Sequence, residues 1–258
     1  MILNYKNSSI HYTIEGKGDS IVLLHGFLES VEMWQDLIAV LSTTNKVVCV
    51  DLLGHGKTDC IGYVHTMDAM AAAVLVVLEY LNIESADIIG HSMGGYVALA
   101  LAEQRPELFK GLCLMNSTYD ADDASRKQIR TRASEMAQHN FEALVQMSFA
   151  NLFTPESKII HKTAYEKALQ LALKTPLQGY IAAQEGMKLR PNRFAILKNL
   201  KCNKIIIAGK KDSLVNTDQI INNIEGTDID FVEFSEGHMS HIENKSDLTY
   251  KILRFIEK

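Results

Sequence analysis

The sequence predicts an α/β protein whose mostly parallel sheet is flanked by helices. Three observations predict it. Short runs rich in β-branched residues alternate with longer segments of helical period along most of the 258 residues. Hydrophobic residues make up 47% of the chain against 22% charged, so a chain of this length can bury a large core. With 15 Gly and only 4 Pro, it lacks the composition of collagen-like or disordered chains.

The elements follow in order. Residues 1–6 and 10–14 read as a strand pair around Asn7-Ser8-Ser9, a hairpin. Ile21-Val22-Leu23-Leu24 reads as a buried strand stopping at His25-Gly26. Trp34, Leu37, Ile38 and Leu41 share one helical face. Val47-Val48-Cys49-Val50 is the next strand and ends at Asp51. Met67, Met70, Ala71, Val74, Leu75 and Leu78 recur at helical spacing over 67–81, with Thr66 as N-cap. Further strands fall at 86–90, 112–115, 204–208 and 230–234, with helices at 96–102 and 245–256. Strands joined by crossover helices must run parallel. Residues 119–187 break this rhythm: polar first, then helical in period, with Pro155 and Pro176 as breakers and no strand. The expected division is therefore a core of residues 1–118 and 189–258, with a helical cap or lid at 119–188.

Charge and targeting signals narrow the function classes. A net charge of −5, from 26 Lys+Arg against 31 Asp+Glu, is not the cationic footprint of a protein that binds phosphate backbones, so no nucleic-acid partner is expected. The first 20 residues lack the cationic and apolar regions of a signal peptide. The longest nearly uncharged apolar stretch, 69–78, is about half a membrane span, so no span is expected. Cys49, Cys60, Cys113 and Cys202 are scattered and form no CxxC pair, which points to a reducing, cytoplasmic setting.

The sharpest chemical signal is Gly90-His91-Ser92-Met93-Gly94-Gly95. Strand-like Ile88-Ile89 precedes it and a helical segment follows, the strand–turn–helix setting that a G-x-S-x-G nucleophile elbow requires. A serine held on so sharp a turn needs neighbours without side chains. It also needs a base, oriented by a third group. Asp212 stands just past the strand 204–208, and His238 just past 230–234, at the carboxyl edge where parallel sheets collect their reactive groups. Asp230, at a strand start, and Asp218, on a helix, are rivals for the acid and fall in the wrong places. His241 is the rival base, read as a helix-start residue near the pocket rim. The backbone N–H groups of Met93 and Phe27 are the expected oxyanion donors. His25, before that turn, is expected to be structural. Phe27, Leu28, Met93, Val215 and Met239 are expected to make the substrate pocket largely apolar. No dinucleotide or Walker phosphate loop is present. His238-x-x-His241 lacks a nearby third ligand, so neither metal nor cofactor is expected.

Together, Leu24-His25-Gly26-Phe27, Asp51 to Thr58, the Gly90–Gly95 segment, Gly209-Lys210-Lys211-Asp212 and Gly237 to Glu243 resemble the α/β-hydrolase superfamily, in family order and over nearly the whole chain outside the lid. The resemblance implies an eight-stranded, mostly parallel sheet with a helical cap after the sixth strand. It also implies Ser92 as nucleophile, Asp212 as acid and His238 as base, with Asp51 shaping a turn beneath the site. The expected function is a serine hydrolase, a carboxylesterase acting on a small-molecule acyl substrate. One alternative is a lyase of the menaquinone-biosynthesis type. Those enzymes usually carry tyrosine before the nucleophile and arginine soon after the paired glycines, where this chain has His91 and Tyr96. A carbon–carbon bond hydrolase on the same triad and a non-catalytic ligand receptor on the same fold are the others.

Overall fold

A computed structural model describes residues 1–257 of the chain. Its single sheet has eight strands: β1 (Ile2–Tyr5), β2 (Ser8–Glu15), β3 (Ser20–Leu24), β4 (Lys46–Val50), β5 (Ala86–His91), β6 (Phe109–Met115), β7 (Asn203–Gly209) and β8 (Ile229–Phe234). Their spatial order is β1-β2-β4-β3-β5-β6-β7-β8. From β4 to β8 every pairing is parallel, while β1–β2 and β2–β4 are antiparallel. The eight-stranded, mostly parallel sheet is thus as expected.

Burial on both faces explains the continuous apolar runs. Side chains alternate between two cores: Val22, Leu24, Val48, Val50, Ile88, Leu112, Leu114 and Ile206 face one. Ile21, Leu23, Val47, Cys49, Ile89, Cys113, Ile205 and Ile207 face the other. The first face is covered by α2 (Met67–Tyr80) and α3 (Met93–Gln104). The second is covered by α1 (Gln35–Leu41), entered through a 3₁₀ turn with Trp34, and by the terminal helix (Lys245–Ile256). Thr66 caps α2 by accepting from Ala69 N–H at 3.1 Å.

Between β6 and β7 lie α4 (Ala124–Ala137), α5 (Phe141–Ala150), α6 (Pro155–Ile160), α7 (Lys162–Ala172) and α8 (Leu177–Leu189). They enclose a third apolar cluster that includes Leu144, Val145, Phe149, Phe153 and Tyr180. After them come α9 (Phe194–Asn199), α10 (Thr217–Ile224), α11 (Ser240–Glu243) and the terminal helix, α12.

Two local details differ from expectation. The hairpin turns at Lys6-Asn7, both with positive φ (52° and 59°), so Ser8 and Ser9 are already strand. Such a two-residue turn matches the right-handed twist of the strands better than a three-residue loop. The helix expected at 96–102 starts at Met93, directly after Ser92.

At the opposite end of β5, Asp87 is buried, and burial pushes its pKa up to about 6, with Lys110 partly opposing. A folded-state pKa above the unfolded value means that ionisation costs stability, in full above about pH 6 and not at all below about pH 4. Asp87→Asn is therefore expected to stabilise the protein by about 1–3 kcal/mol at pH 8 and to be near neutral at pH 4. Urea unfolding at the two pH values checks this.

Candidate active site

The carboxyl ends of β3, β5, β6, β7 and β8 converge on one crevice. Ser92 follows β5 with φ 49° and ψ −115°, a strained backbone held by its surroundings. Ser117 Oγ donates to the Ser92 carbonyl at 2.7 Å, and Ser92 N–H to the Met115 carbonyl at 2.9 Å. The turn fits only because its neighbours are glycines. A Cβ on Gly94 would stand 2.2 Å from the Leu24 carbonyl oxygen, and one on Gly90 2.4 Å from that of Gly94.

The structure brings the three expected side chains together. His238 Nε2 lies 2.9 Å from Ser92 Oγ, and its Nδ1 lies 2.7 Å from Asp212 Oδ2. Both His238 and the Asp212 carboxylate are buried. Burial works against an ionised Asp212, but the charge and hydrogen bond of His238, the Leu214 N–H and Asn116 outweigh it and hold the pKa below the ordinary value. The rivals lie elsewhere: Asp230 opens β8 and Asp218 sits on α10.

The backbone donors expected to face an oxyanion, Phe27 N–H and Met93 N–H, make no other hydrogen bond among the described residues. Gly26 lets their two segments meet, since a Cβ there would stand 3.2 Å from Ser92 Cβ. His25 Nε2 accepts from Leu52 N–H at 2.9 Å, so its Nδ1 carries the proton and donates to the Gly26 carbonyl at 2.7 Å. Asp51 accepts from Val31 N–H (2.8 Å), Lys57 N–H (2.9 Å) and His11 Nδ1 (2.7 Å), pinning the turn below.

Sequence reasoning missed two supports. Asn116, one residue past β6 with φ 46°, donates from Nδ2 to Asp212 Oδ2 and to the Gly237 carbonyl, both at 3.1 Å. Its place at the carboxyl edge is the signal that singled out Asp212 and His238. The second is Glu29, buried beneath the crevice. Its Oε2 accepts from Gly26 N–H at 2.6 Å and from His91 Nδ1 at 2.7 Å. His91 Nε2 faces the His238 carbonyl at 3.1 Å. With an acceptor at each ring nitrogen, His91 is held as imidazolium. Burial opposes that charge, yet Glu29 raises the His91 pKa, while Glu29 itself falls to about 2 against its own burial. One ion pair thus ties the Gly26 turn, the elbow and the His238 loop together. Glu29→Gln keeps an oxygen for the two donors but removes the charge that pairs with His91, so a loss of about 1–3 kcal/mol is expected in thermal or urea unfolding.

Four residues stand elsewhere than expected. His241 does stand at the start of a helix, α11, but it does not line the cavity over Ser92; it is half-buried, with its Nε2 3.9 Å from Glu29 Oε1. Glu29, His91 and His241 are the group whose potential ligand atoms lie within 4.8 Å of one another among the described residues; His238 is not part of it. Val215, Met239 and the Met93 side chain do not line the cavity over Ser92. Val215 and Met93 are drawn into the core beside the sheet, and Met239 packs with Leu28 and Tyr180. Leu214 takes the place expected of Val215. The cavity, about 400 Å³, is lined by Phe27, Leu28, Leu152, Tyr180 and Met187 and, unforeseen, by Arg126, Arg130 and Gln184.

Comparison with known proteins gives a consistent family. A family model for the alpha/beta hydrolase fold matches residues 19–245. The chain is similar to 3-oxoadipate enol-lactonase 1 of Acinetobacter baylyi, 27% identical over 94% of this chain and 91% of that one. It is similar too to the (E)-2-((N-methylformamido)methylene)succinate hydrolase of the same organism, 23% identical over 80% of this chain and 77% of the relative. A thermophilic esterase from Thermogutta terrifontis superposes with TM-score 0.91 at 26% identity, over 97% of this chain and 93% of its own. The enol-lactonase of Burkholderia xenovorans LB400 superposes with TM-score 0.93 over 100% of both chains, a likeness of fold at 21% identity.

Proposed function

The chain belongs to the α/β-hydrolase family, and we propose that it is a serine hydrolase cleaving a carboxylic ester or related acyl substrate through an acyl-enzyme on Ser92. The observation that carries this reading is the continuous chain of contacts Ser92 Oγ, His238 and Asp212, at 2.9 and 2.7 Å. His238 takes the proton of Ser92 as its oxygen attacks the carbonyl, and later gives it to the leaving group. Asp212, held ionised, fixes the tautomer with the proton on Nδ1 and stabilises the imidazolium. Phe27 N–H and Met93 N–H receive the oxyanion, the latter at the start of α3, where the helix end favours negative charge. Water activated by the same histidine then releases the acid.

Residues 119–188 act as a cap over this centre, excluding solvent and shaping the small-molecule pocket. The enol-lactonase and esterase relatives support cleavage of an acyl–oxygen bond. Four free cysteines, two of them buried, support a cytoplasmic setting. No helix among the described residues is long and apolar enough to cross a membrane.

A fluorophosphonate probe tests the nucleophile. Stoichiometric adduct on Ser92, located by peptide mass spectrometry, is expected. No adduct, or an adduct at another serine, overturns the assignment.

A further inference from the structure

One charge in the cavity over Ser92 is unmatched. Arg130 meets Asp122 and Gln184. Glu29 is paired with His91, and His238 with Asp212. Arg126, in the first turn of α4, donates from one nitrogen to the Leu214 carbonyl at 2.6 Å and forms no ion pair among the described residues. A guanidinium has five N–H donors in a planar fork, so most of its capacity is left for something else in the cavity.

From this geometry we propose that the substrate carries one carboxylate, held by Arg126, some bonds away from the carbonyl that Ser92 attacks. The inference rests on the hydrolase reading and deepens it to a substrate class: half-esters, or lactones bearing an acid. Three features argue for it. The forked guanidinium matches a carboxylate in two parallel hydrogen bonds. Ile129, Leu214 and Met187 line the same cavity and offer no acceptor that would compete for the guanidinium. The chain as a whole carries −5, so an unpaired cation over the nucleophile runs against the overall charge. With Arg130 already occupied, a single cation matches a monoanion; a phosphate dianion would call for a second. The bland alternative is that Arg126 only clamps α4 to the Leu214 loop, two residues past Asp212.

Monoethyl glutarate and ethyl pentanoate, similar in acyl chain length but differing in the carboxylate, separate these readings. Hydrolysis by the parent, Arg126→Gln and Arg126→Lys is followed by acid release, with Ser92→Ala as control. The parent is expected to prefer the half-ester at least tenfold in kcat/KM. In Arg126→Gln the ratio of the two kcat/KM values should fall at least tenfold, through KM, and Arg126→Lys should keep part of it. No preference in the parent, an unchanged ratio, or an equal loss on both esters overturns the proposal in favour of the clamp. If neither ester is cleaved, the hydrolase reading is at fault, and calorimetric binding of the uncleaved monoethyl glutarate decides separately. Affinity at least tenfold weaker in Arg126→Gln supports the carboxylate site, whereas equal or absent binding overturns it.

Discussion

Ser92→Ala is expected to lower kcat on a hydrolysed ester by about 10⁴–10⁶-fold, with the protein still folded. Among the described residues, the Ser92 hydroxyl makes its one side-chain hydrogen bond to His238. The backbone around it is fixed by Ser117, Met115 and the neighbouring glycines instead. Deleting the oxygen therefore removes the nucleophile and leaves the crevice standing, so thermal unfolding should be little changed. His238→Ala should cost about as much, because neither group acts without the other, and the double variant should be no worse than either single one. Asp212→Asn should fall by about 10⁴, since an amide facing Nδ1 favours the wrong tautomer. The loss should appear in kcat, not KM: the three groups act on the transition state and not on the bound ester. Additive losses, or activity surviving Ser92→Ala, would mean that the reaction runs through other residues. A protein that never turned over an ester yet bound one equally with and without the Ser92 hydroxyl would be a receptor.

What could be read in the sequence, and what could not, follows from how local each signal is. The strands announce themselves because Val22 and Leu24 serve one core and Ile21 and Leu23 the other, and two-sided burial leaves an uninterrupted apolar run. Ser92, Asp212 and His238 stand out because each directly follows such a run. Asn116 follows one as well, and was passed over because an amide carries no chemistry of its own; its work is holding Asp212 and Gly237. Glu29 was invisible for a different reason. Its partners Gly26 and His91 lie 3 and 62 positions away, and no pattern of period 2 or 3.6 links them. Pocket walls were the least legible. Val215 was expected there, but its side chain is claimed by the core near Ile220, and Leu214 faces the cavity instead. Arg126 belongs to a helix whose place over the crevice depends on how α4 packs against α8, a tertiary fact that local spacing does not encode.

Stability is expected to fall steeply as pH drops from 7 to 4.5, because four histidines are held below their ordinary pKa. Burial is the main cause at each: it pushes His55 down to about 3 and His241 to about 4, and lowers His25 and His65 as well. The sign follows from proton counting. Below about pH 6.5 the unfolded chain binds protons that the folded chain refuses, so acid favours unfolding. For His55 and His241 the penalty reaches about 2–3 kcal/mol each at pH 4.5, against a total stability of about 5–15 kcal/mol. His91 works oppositely: its raised pKa gives stability in full below about pH 6.5, and this fades as pH rises through the folded value. Glu29, lowered to about 2, loses its contribution only as pH falls from about 4.5 towards 2. Asp87, raised to about 6, also works oppositely, since its protonation relieves a penalty as pH falls towards 4; it offsets at most one proton, and the four depressed histidines outweigh it between pH 6.5 and 4.5. Urea unfolding across that range should show a free energy that declines with a slope of more than one proton. His55→Gln should remove up to one proton from the slope, because an amide can still donate to the Leu53 carbonyl, as the ring does from Nδ1 at 3.1 Å, without titrating. A flat profile in the parent, or an unchanged slope in the variant, would mean that these rings accept protons in place and that water reaches them inside the fold.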